Sequence, residues 1–372
     1  MDEVTPVVRW ALVVALAALL VGVPTAVAHR PADDVTISAA QLRDRVEAAT
    51  GGTAYSGYVE TQGTLPLPDA RGFGEVTSLF AGPSRLRVWW RTPTFWRVDV
   101  LDPTGETDTV KIGDRLTRWV YDGQEVTEYA DPVARLPRAS DVVPPALARQ
   151  ALAGVTDEEL SRLPAARVAG RDALGLRVTP STAGSTVGHV DLWSDRETGL
   201  PLRVELFGVG AVRPSFRSEL VTVDLTLPTP DDIAFEPPPG ADVHRGDTLD
   251  LADGADRFAP YTFPAELAGL PRSSDEQRGV GVYRRGPTWL IAMPMHERVA
   301  EPLKDQLRVT PGSTEEARGT FATLGPLSVL VTSHDGFDSH TLLAGTVTPD
   351  TLRRAARTLA DGGYVIAPDG GR

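Results

Sequence analysis

The sequence contains no cysteine. That absence excludes disulfides, thiolate metal sites, a cysteine nucleophile and a lipidated cysteine anchor. A chain of 372 residues is long enough to bury a core without cross-links. Positive charge is also in deficit: 37 Lys and Arg stand against 50 Asp and Glu, a net charge of -13. General nucleic-acid binding is excluded, because neutralising phosphates takes an excess of bases. Catalytic signatures are missing too. There is no G-x-S-x-G, no phosphate-binding P-loop, no H-E-x-x-H and no dinucleotide fingerprint. No fixed-period repeat and no low-complexity block occur. What remains, at 41 % hydrophobic, is ordinary globular composition with room for two domains.

One long apolar run is present, at the start. Arg9 precedes an apolar stretch from Trp10 to Ala28, which ends in the small-x-small sequence Ala26-Val27-Ala28 after Pro24. Residues 1–28 therefore read either as a cleaved signal peptide or as a retained membrane anchor. Both readings place the rest of the chain outside the cytoplasmic membrane, on the periplasmic or cell-wall side.

Beyond a short polar linker, "SAAQLRDRVEAA" has helical spacing, with Ser38 as N-cap and Ala39, Leu42, Val46 and Ala49 on one face. From Tyr55 to Ala130 the period is two, in short segments that include "GEVTSLFAG", "SRLRVWWRT" and "TFWRVDVLD" and are split by turn residues. An Ala- and Leu-rich stretch from Asp131 interrupts the strands. It predicts two short helices, Pro144 to Leu152 and Thr156 to Leu163. Strands resume from about Arg171 and end in the Pro237-Pro238-Pro239-Gly240 stop. These features predict an α+β fold: a curved antiparallel half-barrel with a helical lid over residues 35–240, a linker at 241–258 that could act as a hinge, and a smaller α+β domain over 259–366. In that last domain a helix is expected near Arg298 to Leu307, and Thr348-Pro349-Asp350 opens a closing helix.

A curved sheet with an oily face must cover it. A loose cover would leave an apolar cavity suited to an acyl lipid or a lipoprotein. Trp89, Trp96, Trp119, Trp193, Leu200 and Val204 are the candidate lining residues. The plainer alternative is a packed core, and adjacent Trp89 and Trp90 cannot share one face. Arg85, Arg87 and Arg97, with Arg91, are expected on the wet face, either as a solvated surface or as a docking surface for an acidic protein segment.

The stretch "HVDLWSDRETGLPLRVELFG" carries Trp193, Asp195, Thr198, Leu200, Pro201 and Arg203 in the order W-x-D…T-x-L-P-x-R. That hairpin resembles the one late in the sheet of the LolA/LolB-like lipoprotein-carrier superfamily. Near the C-terminus, Gly345, Val347, Pro349, Leu352 and Ala355 resemble the ending of the MucB/RseB family of sigma-factor regulatory proteins. The resemblance implies a non-enzymatic extracytoplasmic sensor. Such a protein binds the outer portion of a membrane anti-sigma factor, shields it from proteolysis, and lets go when a lipid or lipoprotein signal arrives. The alternative within the superfamily is a lipid or lipoprotein carrier of the cell envelope with no regulatory role. Neither reading calls for a cofactor.

Two other clusters carry less weight. "SHDGFDSH" offers His334, Asp335, Asp338 and His340 as metal ligands, but Asp335-Gly336 also reads as a hairpin turn. Asp247, Asp250, Asp253 and Asp256 recur at a spacing that fits calcium loops poorly and a solvated linker well.

Overall fold

The computed structural model describes residues 32–67, 74–131, 135–246, 261–273, 279–333, 339–363 and 365–366, with positions 10, 13, 15 and 16 beside them. The signal or anchor reading of residues 1–28, the 247–258 part of the linker and the ligand candidates His334, Asp335 and Asp338 fall almost wholly outside these. No helix among the described residues is long and apolar enough to cross a membrane.

Twelve strands form one open sheet. Six run as a meander: β1 (Tyr55–Gly63), β2 (Pro83–Thr92), β3 (Phe95–Leu101), β4 (Glu106–Ile112), β5 (Arg115–Val120) and β6 (Glu125–Ala130). Five more form a second meander: β7 (Leu160–Val168), β8 (Arg171–Val178), β9 (Val187–Asp195), β10 (Pro201–Gly208) and β11 (Phe216–Asp224). The meanders join where β1 pairs antiparallel with β11. The sheet order is β12-β6-β5-β4-β3-β2-β1-β11-β10-β9-β8-β7, with β12 (Asp242–Arg245) at one edge and β7 at the other. The architecture is thus an open, mostly antiparallel sheet plus a smaller sheet unit, as the sequence predicts.

Helix α1 (Ala39–Gly52) begins at the capping box of Ser38 and Gln41 and stops at its double glycine. α2 (Gly74–Ala81) covers one end of the sheet, where Phe80 packs on Phe216 with ring centroids 5.1 Å apart. The sequence reading made this segment a strand. Its alternation is real, but across the eight residues of the helix Leu79 alone is buried, where a half-buried strand would bury every second one. α3 (Pro144–Leu152) starts with prolines in its first turn. α1 and α3 lie on the same face of the sheet. Leu42 and Val46 of α1 and Ala148 and Leu152 of α3 form one buried cluster with Leu174, Leu176, Leu192 and Val204. The helix expected at Thr156 to Leu163 is instead a single 3-10 turn, Asp157–Glu159, followed by β7. β7 pairs with β8, and its register slips between Leu163 and Ala166, around Pro164.

After β11 the chain crosses the other face of the sheet as a strap. Arg91 donates to the carbonyl of Pro228. Thr229 then caps the short helix α4 (Pro230–Ile233), whose Ile233 is fully buried. Phe235 meets Trp119 at 5.9 Å, and the chain enters β12, which pairs parallel with β6. Residues 242–245, read from sequence as the start of the linker, therefore belong to the large sheet.

The second unit is a six-stranded antiparallel sheet: β13 (Gly281–Arg285), β14 (Thr288–His296), β15 (Ser313–Glu316), β16 (Gly319–Leu324), β17 (Leu327–Thr332) and β18 (Ser339–Gly345), in the order β13-β14-β18-β17-β16-β15. Helices α5 (Glu297–Arg308) and α6 (Pro349–Thr358) lie close to their expected positions. This unit is fastened to the first by backbone hydrogen bonds. Thr186 N donates to Thr346 O at 3.1 Å, Thr348 N to Gly184 O at 2.7 Å and Gly286 N to Ala153 O at 2.6 Å. Beside them the buried carboxylate of Glu159 accepts from Arg285 at 3.0 Å, from Thr156 N at 2.9 Å and from Ser181 N at 2.6 Å. Any hinge motion between the units must break this set.

Candidate functional site

The hairpin of β9 and β10 accounts for its own sequence pattern. Asp195 Oδ1 accepts from Glu197 N at 3.1 Å, Thr198 N at 2.8 Å and the Thr198 hydroxyl at 2.9 Å, closing the turn. Its Oδ2 accepts from Arg171 at 2.5 Å. Gly199 has φ +79°, and a Cβ there would stand 2.8 Å from the carbonyl of Arg45, so the turn rests directly on α1. Leu200 and Leu202 are fully buried beneath it. Arg203 makes a bidentate pair with Glu219, both bonds at 2.9 Å, and lies over the Trp193 ring at 5.3 Å. Burial raises the Asp195 carboxyl, but Arg171 and the Thr198 donors outweigh it and hold the group below its ordinary value. Its stabilising contribution is therefore complete above the ordinary aspartate pKa and is lost as pH falls. Asp195→Ala is expected to cost about 1–3 kcal/mol in urea denaturation at neutral pH, with the gap to the parent closing in acid. A gap unchanged at acid pH would contradict the turn's assigned role.

The two faces of the sheet differ sharply. One face, under α1 and α3, carries Leu86, Val88 and Trp90 of β2, Trp96 and Val98 of β3, and Leu220 of β11. Trp90 and Trp96 stack there with centroids 5.6 Å apart and planes 2° from parallel. The Trp96 indole N–H donates to Pro93 O at 3.2 Å, and the Arg138 guanidinium lies over the ring at 5.3 Å. Leu200 and Val204 also belong to this covered side.

Three of the residues expected to line a cavity lie on the opposite face. Trp89 is the cross-strand partner of Arg97 and sits between Arg97 at 5.5 Å and Arg87 at 5.8 Å. Trp119 pairs with Asp108 across the ladder and is buried by the strap. Trp193 pairs with Arg203. The correction has one cause. A tryptophan is tolerated on a polar face when a guanidinium covers it, or when a strap buries it, so aromatic content did not mark the oily face. Trp90, not Trp89, belongs beside Trp96.

Between lid and sheet, the gap bounded by Tyr55, Trp90, Val143, Pro145, Ala146 and Arg149 has no room for a water molecule. A separate open groove of about 1040 Å³ lies at the far end of the sheet. Ile112, Arg115, Thr117, Tyr129 and Phe235 are among its walls, and none of the six expected lining residues takes part.

The expected docking arginines are unequal. Arg85 is exposed, opposite Glu60 in register. Arg87 donates to Glu106 at 2.6 Å. Arg97 donates to both Asp99 and Asp108 at 2.7 Å, so its charge is spent inside the protein. Sequence reasoning missed this buried network; the signal was Asp99 and Asp108, acidic residues inside otherwise strand-like segments. Asp99, Glu106 and Asp108 hold carboxylate oxygens within 4.8 Å of one another, but Arg87 and Arg97 already supply the balancing cations. His340, from the other cluster, is buried, with Nδ1 2.7 Å from Thr332 O and Nε2 3.7 Å from Glu301.

No family model matches the chain, and no curated protein matches it. Among solved structures, a chain of the Pseudomonas aeruginosa MucA/MucB complex shares 19 % identity at a TM-score of 0.48, covering 86 % of this chain and 96 % of that one. The chain is similar to MucB. A structure of MucB in complex with periplasmic MucA gives 18 % and 0.47, with coverage of 86 % and 97 %. A LolA-superfamily protein from Nitrosomonas europaea gives 12 % and 0.21, covering 54 % of this chain and 99 % of that one.

Proposed function

We propose that this chain is a non-enzymatic extracytoplasmic regulator that binds the outer portion of a membrane anti-sigma factor. The observation that carries the reading is the hairpin from Val190 to Gly208. Its W-x-D…T-x-L-P-x-R residues each hold a defined place in the turn, and the same meander supports a second unit fastened at Gly184, Ser185 and Thr186. A carrier that only ferries cargo has no evident use for that second unit. A lipid or lipoprotein signal would act by displacing the α1 and α3 lid, since the face beneath it is apolar and covered. Trp96, Leu200 and Val204, with Trp90, would then meet the acyl chain, and Arg85 would lie on the partner-facing side. Residues 1–28 would export the chain and either be removed or tether it.

The test uses the full chain and the outer segment of the anti-sigma factor from the same cells. Size-exclusion chromatography should give a complex, and the complexed segment should resist protease at least about tenfold longer than the free one, as an occupancy of about 90 % or more requires. Native mass spectrometry of the same preparation reads co-purified acyl lipid. Lipid binding without a protein complex would replace the regulator with the carrier. Absence of both would end the reading.

A further inference from the structure

The network beneath the strap holds one negative charge more than it can balance. Asp99 is fully buried and Asp108 nearly so, and they are direct cross-strand partners on β3 and β4. Arg97 bridges them from one side, donating Nε to Asp99 Oδ1 and a terminal nitrogen to Asp108 Oδ2, each at 2.7 Å. The remaining oxygens, Asp99 Oδ2 and Asp108 Oδ1, receive no hydrogen bond, and the two carboxyls bring oxygens within 4.8 Å of each other. Arg87 stands 3.5 Å from Asp99 Oδ2 but gives its short bond to Glu106. Three carboxylates thus face two guanidinium groups; Asp99 and Asp108 are closed to water, while Arg87 and Glu106 reach the surface. Two buried carboxyls side by side, each with an oxygen that accepts no hydrogen bond, are relieved by one proton held between them.

We propose that Asp99 and Asp108 hold one shared proton, and that losing it as the medium turns alkaline loosens the strap that crosses this face. Every charged group around the pair is accounted for. β2 contributes Arg87, β3 contributes Arg97, and β4 contributes Glu106. On β5 the facing residue is Trp119, since Arg118 points to the other side of the sheet, toward Glu75. α4 rests on β3 and offers Asp231 and Asp232, both exposed, with Asp232 bonded to its own cap at Thr229. Burial first, and the neighbouring Asp99 second, push Asp108 up to about 7 against the pull of Arg97; Asp99 is raised as well, chiefly by burial. A carboxyl raised in the folded state contributes stability while it is protonated. That contribution is full below the ordinary value of 3.8 and is gone once pH has risen past about 7. Above that point a second charge must be solvated under the strap, whose α4 rests on β3 and whose Phe235 packs on Trp119 beside Asp108, and the strap is the cover that can yield.

Amide exchange on the full chain tests this, read as protection factors in residues 226–245 with β14 as internal reference. Between about pH 6 and pH 8, strap protection should fall roughly tenfold in the parent and change less than about twofold in Asp108→Asn, which mimics the protonated group. A strap whose pH response is the same in Asp108→Asn as in the parent overturns the proposal. If that variant does not fold, carboxyl carbon titration of the parent by NMR decides. One of the two groups should remain protonated at about pH 6, and finding both ionised there defeats the idea.

Discussion

Trp96→Ala is expected to lower the stability of the large sheet by about 3–5 kcal/mol, the range for removing a buried tryptophan. Trp96 is 2 % exposed and stacks on Trp90, and its indole N–H is satisfied by Pro93. The substitution opens a cavity between the lid and the sheet that the stiff surroundings cannot close. It also strips Arg138 of the ring it covers, although Arg138 keeps its pair with Asp131 at 2.9 Å. Trp89→Ala is the matched control, from the adjacent strand on the opposite face. It loses contact with two guanidinium groups and creates no enclosed void, so a cost of about 1 kcal/mol or less is expected. Urea denaturation followed by circular dichroism measures both. Equal losses would mean that the faces have been assigned wrongly.

Glu159→Ala is expected to loosen the attachment of the second unit at a cost of about 2–4 kcal/mol. The change leaves two backbone N–H groups, those of Thr156 and Ser181, without their acceptor, and takes from Arg285 its carboxylate, leaving it the Ser181 and Thr182 hydroxyls. Backbone bonds at Gly184, Thr186 and Gly286 persist, so the units separate in part rather than fall apart. Burial raises the Glu159 carboxyl, but the backbone donors at Thr156 and Ser181, and Arg285, outweigh it and hold it low. The same loosening should therefore occur in the parent as pH falls below the ordinary glutamate range. Small-angle scattering should report a larger radius of gyration for the variant at neutral pH, matching the parent in acid. A variant as compact as its parent, with unchanged protease resistance between the units, would show that the backbone bonds alone hold them.

Much of this architecture was legible because local chemistry and tertiary structure agree. Ser38 caps the helix its spacing announces, the Asp195–Thr198 pair makes the turn its letters suggest, and Pro349 opens the closing helix. The failures share a different feature. In each, a partner remote in sequence decided what a residue does. Glu159 reads as an acidic first turn for a helix, yet its acceptors serve Ser181 and Arg285. Trp119 reads as oily lining, yet a strap more than a hundred residues later buries it. The strap itself is illegible, because the proline stop at 237–240 marks an end where the chain in fact turns to add β12. The docking arginines follow the same rule: Arg85 faces Glu60 across its ladder and stays exposed, while Arg97 is claimed by Asp99 and Asp108.

The seam between the two meanders has a consequence for how the chain reaches its native state. Ser56 meets Asp224 there, and Gly63 meets Phe216, so the central pairing has a very high contact order. Neighbouring strands such as β2 and β3 can zip as hairpins within a few residues of synthesis, but loop-closure entropy delays the seam. Until β11 has been made, β1 presents a bare hydrogen-bonding edge in what will become the middle of the sheet. A chain caught at that stage is open to pairing with another copy of itself, and the sheet gains its protected centre last.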